Sequence, residues 1–535
     1  MASTGSAGGS SALNAVKDAK VIVVGAGVSG LATANRLMEH GFTDITILEA
    51  RDRPGGRTYS KPFGDSYLEY GAQWVHGQEG NTIYNFAKDH GLIDDSAPNY
   101  LANLFKWCQL TADEQALASE VTVALQGIYD QCVELYANSA RGNPPTVLPK
   151  SLGHLLRHGL LDYLRDNPQM AERMKIVEAC YDWYTRLQQE IQGCSSLTDV
   201  SAMLLGLYRE CEGNIVTELK NGYQDIVNLL LNDLPSDCVK YNKVVSRITV
   251  SIANLSSSNF LPVRKTSSHI KTSFAAVPLG TNRPQLTVTC EDGSIYKADH
   301  VVVTLPLGCL KALASSLFDP PLPEKKLLAV RSLGFGTLNK VFLKYAKPFW
   351  EPWEQYQVLW LDGLNHCGNK PDSDDMSAWV THSQLSSSWF RYVGRFNAVR
   401  HHPDVLCAWF TSEGAKFMET LSDEEVLTGC HDVLRQVLKN PELPKPCQIE
   451  RTAWNSDRFA RGSYSYISVA CDSNGSLPND LAEPICEYIV HFDTEVTYPV
   501  LLFAGEATHP HFFSTVHGAY ETGIREADRL ADFYL

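Results

Sequence analysis

This 535-residue chain lacks any run of about 18 apolar residues, so no transmembrane helix is expected. It also lacks an excess of basic charge. Lys and Arg number 46 against 61 Asp and Glu, and the formal net charge of -15 argues against binding nucleic acid through a basic surface. That acidity serves solubility, and it would also concentrate a cationic ligand. The 14 cysteines include no CxxC pair and no Cys/His cluster at metal spacing. This disfavours a zinc site and a disulfide framework and fits reduced thiols. The opening "MASTGSAGGSSALNA" has neither the charged nor the apolar region of a secretory signal and reads as a flexible tail. The closing "DRLADFYL" is not a peroxisomal address of the SKL type. A cytoplasmic location is therefore expected, and a nuclear one is compatible. There is no internal repeat.

What is present begins with "AKVIVVGAGVSGLATANRLMEHGFTDITILEA", residues 19–50. The β-branched run Val21–Val24 predicts a strand buried on both faces. Val28, Leu31, Ala34 and Leu37 then recur at helical spacing, and Gly41 is placed to end the helix. "DITILEA" predicts a second strand ending on Glu49, which makes a βαβ unit. Gly25, Gly27 and Gly30 form GxGxxG in the context that gives this otherwise weak motif its meaning. Gly25 suits the tight turn, Gly27 a close approach of pyrophosphate, and Gly30 close helix–strand packing, while Glu49 would accept from a ribose hydroxyl.

NAD and FAD share this fingerprint, and "RDRPGGRTYS" favours FAD. Gly55, Gly56 and Arg57 add a second anion-binding turn and a cation directly after the ribose acid. Far downstream, "FAGEATH" supplies Gly505 and Glu506 after a strand, and a helix beginning near Val516 would aim its amides at a ring oxygen. A site built from both chain ends suits a permanently held dinucleotide.

Residues 91–210 read as helix-rich. "QLTVTCEDGSIYKADHVVVT" predicts two strands around Asp292-Gly293 and a third buried strand, and 252–284, Ser- and Lys-rich without period, reads as a mobile insertion on a hairpin. "YGAQWVHGQEGN", residues 70–81, places Trp74 and His76 just behind the phosphate-binding turns. Read alone, they are as compatible with a buried aromatic and a core histidine as with a ligand site.

Taken in order, GxGxxG with Glu49, "RPGGR", "GAQWVHG", "VVVTLPLGCLK", "GFGTLNKVFL", "RGSYSY" and "FAGEATH…STVHGA" resemble the flavin-containing amine oxidases, in their polyamine oxidase branch. The resemblance covers almost the whole chain outside the tail and the insertion. It implies an α/β amine oxidase fold with a discontinuous, Rossmann-like FAD domain and an α+β substrate domain whose mixed sheet is flanked by helices. The expected division is a tail at 1–18, an FAD domain of 19–90, 211–315 and 456–535, and a substrate domain of 91–210 and 316–455. The implied reaction is hydride transfer from a carbon beside an amine nitrogen to flavin N5, imine hydrolysis to amine plus aldehyde, and reduction of O2 to H2O2.

The resemblance also assigns residues. Lys340 matches the family lysine that holds a water against flavin N5, and His76 sits where an imidazole lines the tunnel and meets a substrate amine, with Trp74 as its apolar wall. Val245 joins the cofactor-binding set. Ser463 stands where monoamine oxidases carry the flavin-linked cysteine, so the FAD is expected to be non-covalent. Tyr464 is expected as an aromatic wall, with Thr515 opposite where a second tyrosine would stand. Asp199 and Ser201 match an acid and a serine that contact the distal end of a polyamine, which favours spermine over N1-acetylated polyamines. Departures from the family pattern are Asp199, where Glu is expected, and Phe513, where tyrosine is expected. A histone lysine demethylase-type oxidase is disfavoured by the Trp-x-His step and by the absence of an inserted helical tower. An inactive scaffold is disfavoured because Lys340 and His76 are both retained. The polyamine and O2 are the expected partners, with no metal. Oligomeric state and the C–N bond cleaved stay open.

Overall fold

The structure is a computed structural model that describes residues 16, 18–94, 107, 109–139, 150–251, 284–352, 354–361, 382–491 and 494–534. The expected tail and the expected insertion at 252–284 therefore lie almost wholly outside the described residues.

The βαβ unit forms where the apolar pattern places it. Lys20–Val24 is a strand, Val28–Glu39 a helix and Asp44–Leu48 the next strand. Val21, Ile22, Val23 and Val24 are all buried, each worth about 1.5–3 kcal/mol. Val28, Leu31, Ala34 and Leu37 pack on one side of the sheet. Past the helix, Gly41 adopts φ +91, a conformation that side chains with a Cβ avoid.

These strands belong to a six-stranded sheet in the order Ile485–His491, Thr494–Phe503, His300–Val303, Lys20–Val24, Asp44–Leu48 and Val239–Lys240. All neighbours run parallel except the first two, which form an antiparallel hairpin. Register aligns Val24 with Leu48 and with Val303, and Val303 with Phe503. Four strands thus stop at one level, and Gly25, Glu49, Thr304 and Gly505 follow at that edge. Ligands of open parallel sheets bind there.

A four-stranded sheet, Phe318–Asp319, Val245–Ser251, Gln285–Cys290 and Ile295–Ala298, packs alongside. Its Gln285–Cys290 and Ile295–Ala298 strands form the expected hairpin, with Gly293 at φ +83.

A separate five-stranded antiparallel sheet runs in the order Gln355–Gln357, Val393–Val399, His402–Thr411, Leu338–Lys344 and Gln448–Arg451. Helices Ala112–Ser139, Leu152–Asp166 and Met174–Gln192 build the helix-rich layer beside it around Trp107, Trp183 and Tyr184. The Met174–Gln192 helix ends on Gly193 at φ +64. A Cβ there would lie 2.2 Å from the ring of Tyr464, so glycine lets the helix end close on that tyrosine.

Candidate active site

A cavity of about 1030 Å³ runs from the carboxyl edge of the parallel sheet to the face of the five-stranded sheet. Its first part is the nucleotide cradle. Gly25, Gly27, Glu49, Gly56, Arg57, Val245, Gly505, Glu506 and Val516 all line it. Gly30 does not. A Cβ on Gly30 would sit 2.0 Å from the Gly25 carbonyl oxygen, so this glycine lets the helix press against the turn.

The donors and acceptors fit a dinucleotide. A Cβ on Gly27 or on Gly505 would meet nothing within 4 Å and would project into open space. The buried Glu49 carboxylate accepts the Ala26 N–H at 2.7 Å and the Arg51 N–H at 2.8 Å. Those bonds orient it and leave two lone pairs for a diol. Burial pushes its pKa up, and the two amides oppose that. The buried Ser29 Oγ, in the first turn of the helix, and the buried His517 Nε2 have no partner among the described residues, and both residues line the cavity.

Glu506 is the knot joining the chain ends. It accepts from Arg57 Nη1 at 2.9 Å, Ser465 Oγ at 2.6 Å and the Ser514 N–H at 2.8 Å. Arg57 also donates to the Ser463 carbonyl at 2.8 Å. The expected second turn and the distant "FAGEATH" segment are therefore bonded directly to each other.

The second part of the cavity holds Trp74, His76, Ser201, Lys340, Tyr464 and Thr515. Lys340 is buried on the Leu338–Lys344 strand. Its ammonium donates to the carbonyls of Glu69 at 2.8 Å and Gly71 at 2.9 Å and to Gln73 Oε1 at 3.1 Å. All three N–H bonds thus have protein acceptors, and a water could take one only by displacing an acceptor, the side chain of Gln73 being the most distant. Burial pulls the Lys340 pKa down and pushes that of the Glu69 carboxyl up.

The His76 side chain is exposed to the cavity, and the protein that surrounds this recess lowers its pKa. Its Nδ1–H donates to the Ile215 carbonyl at 2.8 Å, which leaves Nε2 as an acceptor. Asn81 connects it to His517, donating to the His76 carbonyl at 2.8 Å and to His517 Nδ1 at 3.3 Å.

Trp74 and Trp409 stack at 5.3 Å with planes 12° apart and form one wall. The Tyr464 hydroxyl donates to the Glu190 carbonyl at 2.5 Å. The Thr515 hydroxyl donates to the Phe512 carbonyl at 2.7 Å and accepts the Gly518 N–H at 3.0 Å. Both bonds tie it to its own helix start. Ser463 Oγ is paired with the Leu338 backbone at 2.9 Å in both directions.

Asp199 is not brought into this site. It is exposed and is not among the cavity-lining residues, whereas Val200 and Ser201 are. Nor does it cap a helix; the next helical turn is Leu205–Leu207. Three other acids, Asp130, Glu134 and Glu210, are exposed on the cavity lining. Gln73, Glu190, Arg395, Trp409 and His517 are lining residues that sequence reading missed. Only strand alternation in "VGRFNAV" and "VLCAWF" hints at Arg395 and Trp409, and it does not say which face holds a ligand.

The family description "Flavin containing amine oxidoreductase" matches residues 28–531. The chain belongs to this family. FAD is accordingly its cofactor, and the cradle described above is where it fits. The chain is 34% identical over 551 residues to the human protein "Peroxisomal N(1)-acetyl-spermine/spermidine oxidase", covering 100% of this chain and 98% of that one. The bovine protein of the same description is 34% identical over 530 residues, with 96% and 94% covered. In fold the chain is similar to a putrescine oxidase solved with putrescine bound, at a TM-score of 0.60 and 19% identity, with 96% and 98% covered. The cytoplasmic location expected from the chain's last residues does not stand, because both of these full-length relatives are described as peroxisomal.

Proposed function

We propose that this flavin amine oxidase oxidises polyamines. The observation that carries this reading is one continuous cavity holding the dinucleotide cradle, Lys340, the neutral acceptor of His76 and the Trp74–Trp409 wall. FAD, which Gly25, Gly27, Glu49, Arg57, Gly505 and Glu506 would hold, would supply a hydride acceptor for the carbon beside an amine nitrogen and a route for the electrons to O2, giving H2O2. The stacked indoles hold the aliphatic stem and exclude water from it. His76 Nε2 accepts a hydrogen bond from a substrate nitrogen and so positions it. Lys340, with its pKa lowered by burial, holds a water by exchanging its Gln73 contact, and that water hydrolyses the imine. Ser463 offers no thiol for a flavin link, so the cofactor is held non-covalently.

We assign the FAD domain to 19–90, 211–315 and 456–535, and the substrate domain to 91–210 and 316–455. The six-stranded sheet draws every strand from the first set and the five-stranded sheet every strand from the second. Spermine is the first substrate to test, supported now by the exposed acids Asp130, Glu134 and Glu210 rather than by Asp199. N1-acetylated polyamines are the second reading, favoured by the printed substrates of the human and bovine relatives.

The test is anaerobic mixing of the flavoprotein with spermine, spermidine, N1-acetylspermine and a methyl-lysine peptide. Bleaching by a polyamine is the expected result. Bleaching by the peptide alone would overturn the reading, and preference for the acetylated amine would overturn only the choice of spermine.

A further inference from the structure

Lys340, Trp409 and Arg395 form a row across three adjacent strands. Register pairs Lys340 with Trp409, and Trp409 with Arg395, so the three side chains share one face of the five-stranded sheet. The Lys340 Nζ lies 4.5 Å from the Trp409 ring centroid and the Arg395 guanidinium carbon 4.8 Å from it. Arg395 also lies 5.8 Å from the Trp74 ring. Two cationic side chains therefore flank the apolar wall.

One carboxylate answers them. Glu190, on the Met174–Gln192 helix, meets Arg395 Nη2 at 2.5 Å. Both residues are 8% exposed, and both line the cavity. Arg395 has no other ion-pair partner among the described residues. The other titratable groups around the row are Glu69 behind Lys340, Cys407 on the Trp409 strand, and Tyr464 with Cys194 beside Glu190.

A guanidinium is always charged and accepts no hydrogen bond. It cannot receive an ammonium, and by occupying Glu190 it denies that carboxylate to one. We propose that the Arg395–Glu190 pair is a positioning element that keeps this wall from holding a charged substrate nitrogen, so that the amine beside the indoles lies there as its free base. The proton lost on binding passes to solvent. An ammonium has no free lone pair to support loss of hydride from the neighbouring carbon, so holding a charged amine here would give a bound but unreactive complex. This inference rests on the amine-oxidising reading.

Opposite charge changes give opposite signs, which distinguishes the role from mere packing. The probe is a bis-guanidinium octane, a dication whose charge is fixed at every working pH, titrated calorimetrically into the FAD-loaded protein. Arg395→Met is expected to tighten its Kd by about tenfold, because Glu190 is freed, and Glu190→Gln to weaken it by about tenfold. The double variant returns close to wild type, as does Arg395→Lys. In parallel, the apparent pKa of flavin reduction by spermine rises in Arg395→Met and falls in Glu190→Gln. Shifts of the same direction in both single variants, or changes within twofold in both, overturn the inference. Should Arg395→Met fail to retain FAD, Glu190→Gln alone decides: an unchanged Kd overturns it. If no polyamine bleaches the wild-type flavin, the proposed function fails, whatever the dication shows.

Discussion

The ammonium of Lys340 is held by the backbone of Glu69, at 2.8 Å from its carbonyl oxygen, while the Glu69 side chain turns the other way. That carboxylate accepts the Tyr223 N–H at 2.8 Å and Ser60 Oγ at 2.8 Å. A lysine is thereby fixed in the cavity wall without a direct carboxylate partner among the described residues. Lys340→Met is expected to retain FAD and to slow turnover by about 10²-fold, the scale of lost proton handling. Flavin absorbance and stopped-flow half-reactions check both halves. Wild-type rates in both half-reactions would remove Lys340 from the mechanism.

His76 offers a single acceptor, since its other nitrogen is spent on Ile215. His76→Ala is expected to raise the KM for polyamines by about tenfold, the order of one lost hydrogen bond to a charged or polar ligand. His76→Gln should recover part of it through its amide oxygen. Steady-state kinetics at fixed O2 measure the pair. Equal KM values in wild type and His76→Ala would make the histidine structural.

Asp199 lies outside the cavity lining. Asp199→Asn is expected to change the KM for spermine by less than about twofold, as for surface changes in general. Removing the three exposed acids together, as Asp130→Asn, Glu134→Gln and Glu210→Gln, should raise KM more and weaken its dependence on ionic strength. The salt series separates the two groups.

His517 is buried, and burial pulls its pKa down to about 4. As pH falls below its ordinary value near 6.5, the unfolded chain takes the proton first. Stability is therefore present above pH 6.5 and lost between 6.5 and about 4, by about 3 kcal/mol at about 1.36 kcal/mol per unit. His517→Gln is expected to flatten that acid loss. Thermal unfolding at pH 7.5 and at pH 5 gives the comparison, and an equal drop in both proteins would refute it.

Gly30→Ala places a methyl 2.0 Å from the Gly25 carbonyl oxygen, so that backbone would have to give way at the closest contact. Loss of bound FAD or of fold is expected, read as the flavin-to-protein absorbance ratio after purification. Alanine at Gly127, where a Cβ meets nothing within 4 Å, is the control.

The nucleotide half was legible because its signals are local. A β-branched run, a helical period and glycines at fixed offsets each constrain neighbouring residues, and the strand, turn and helix formed where those patterns lay. The candidate roles of Lys340 and of the Trp-x-His step became legible only through resemblance, since alone a lysine or histidine is ambiguous. Arg395 and Glu190 were not legible at all. They lie 205 residues apart in sequence, and nothing in "VGRFNAV" or "LQQEIQG" marks one as the partner of the other.

The sequence by itself determined the βαβ unit, the flavin family and most of the residues that line the cofactor cradle. Tertiary structure decided which polar groups are spent and which face the cavity. It committed the Thr515 hydroxyl to a helix start, left Asp199 outside the lining and set two cationic side chains against one indole. The physical reason is range. Backbone conformation answers to residues a few positions away, whereas charge balance in a cavity depends on strands and helices that meet only when the chain has folded.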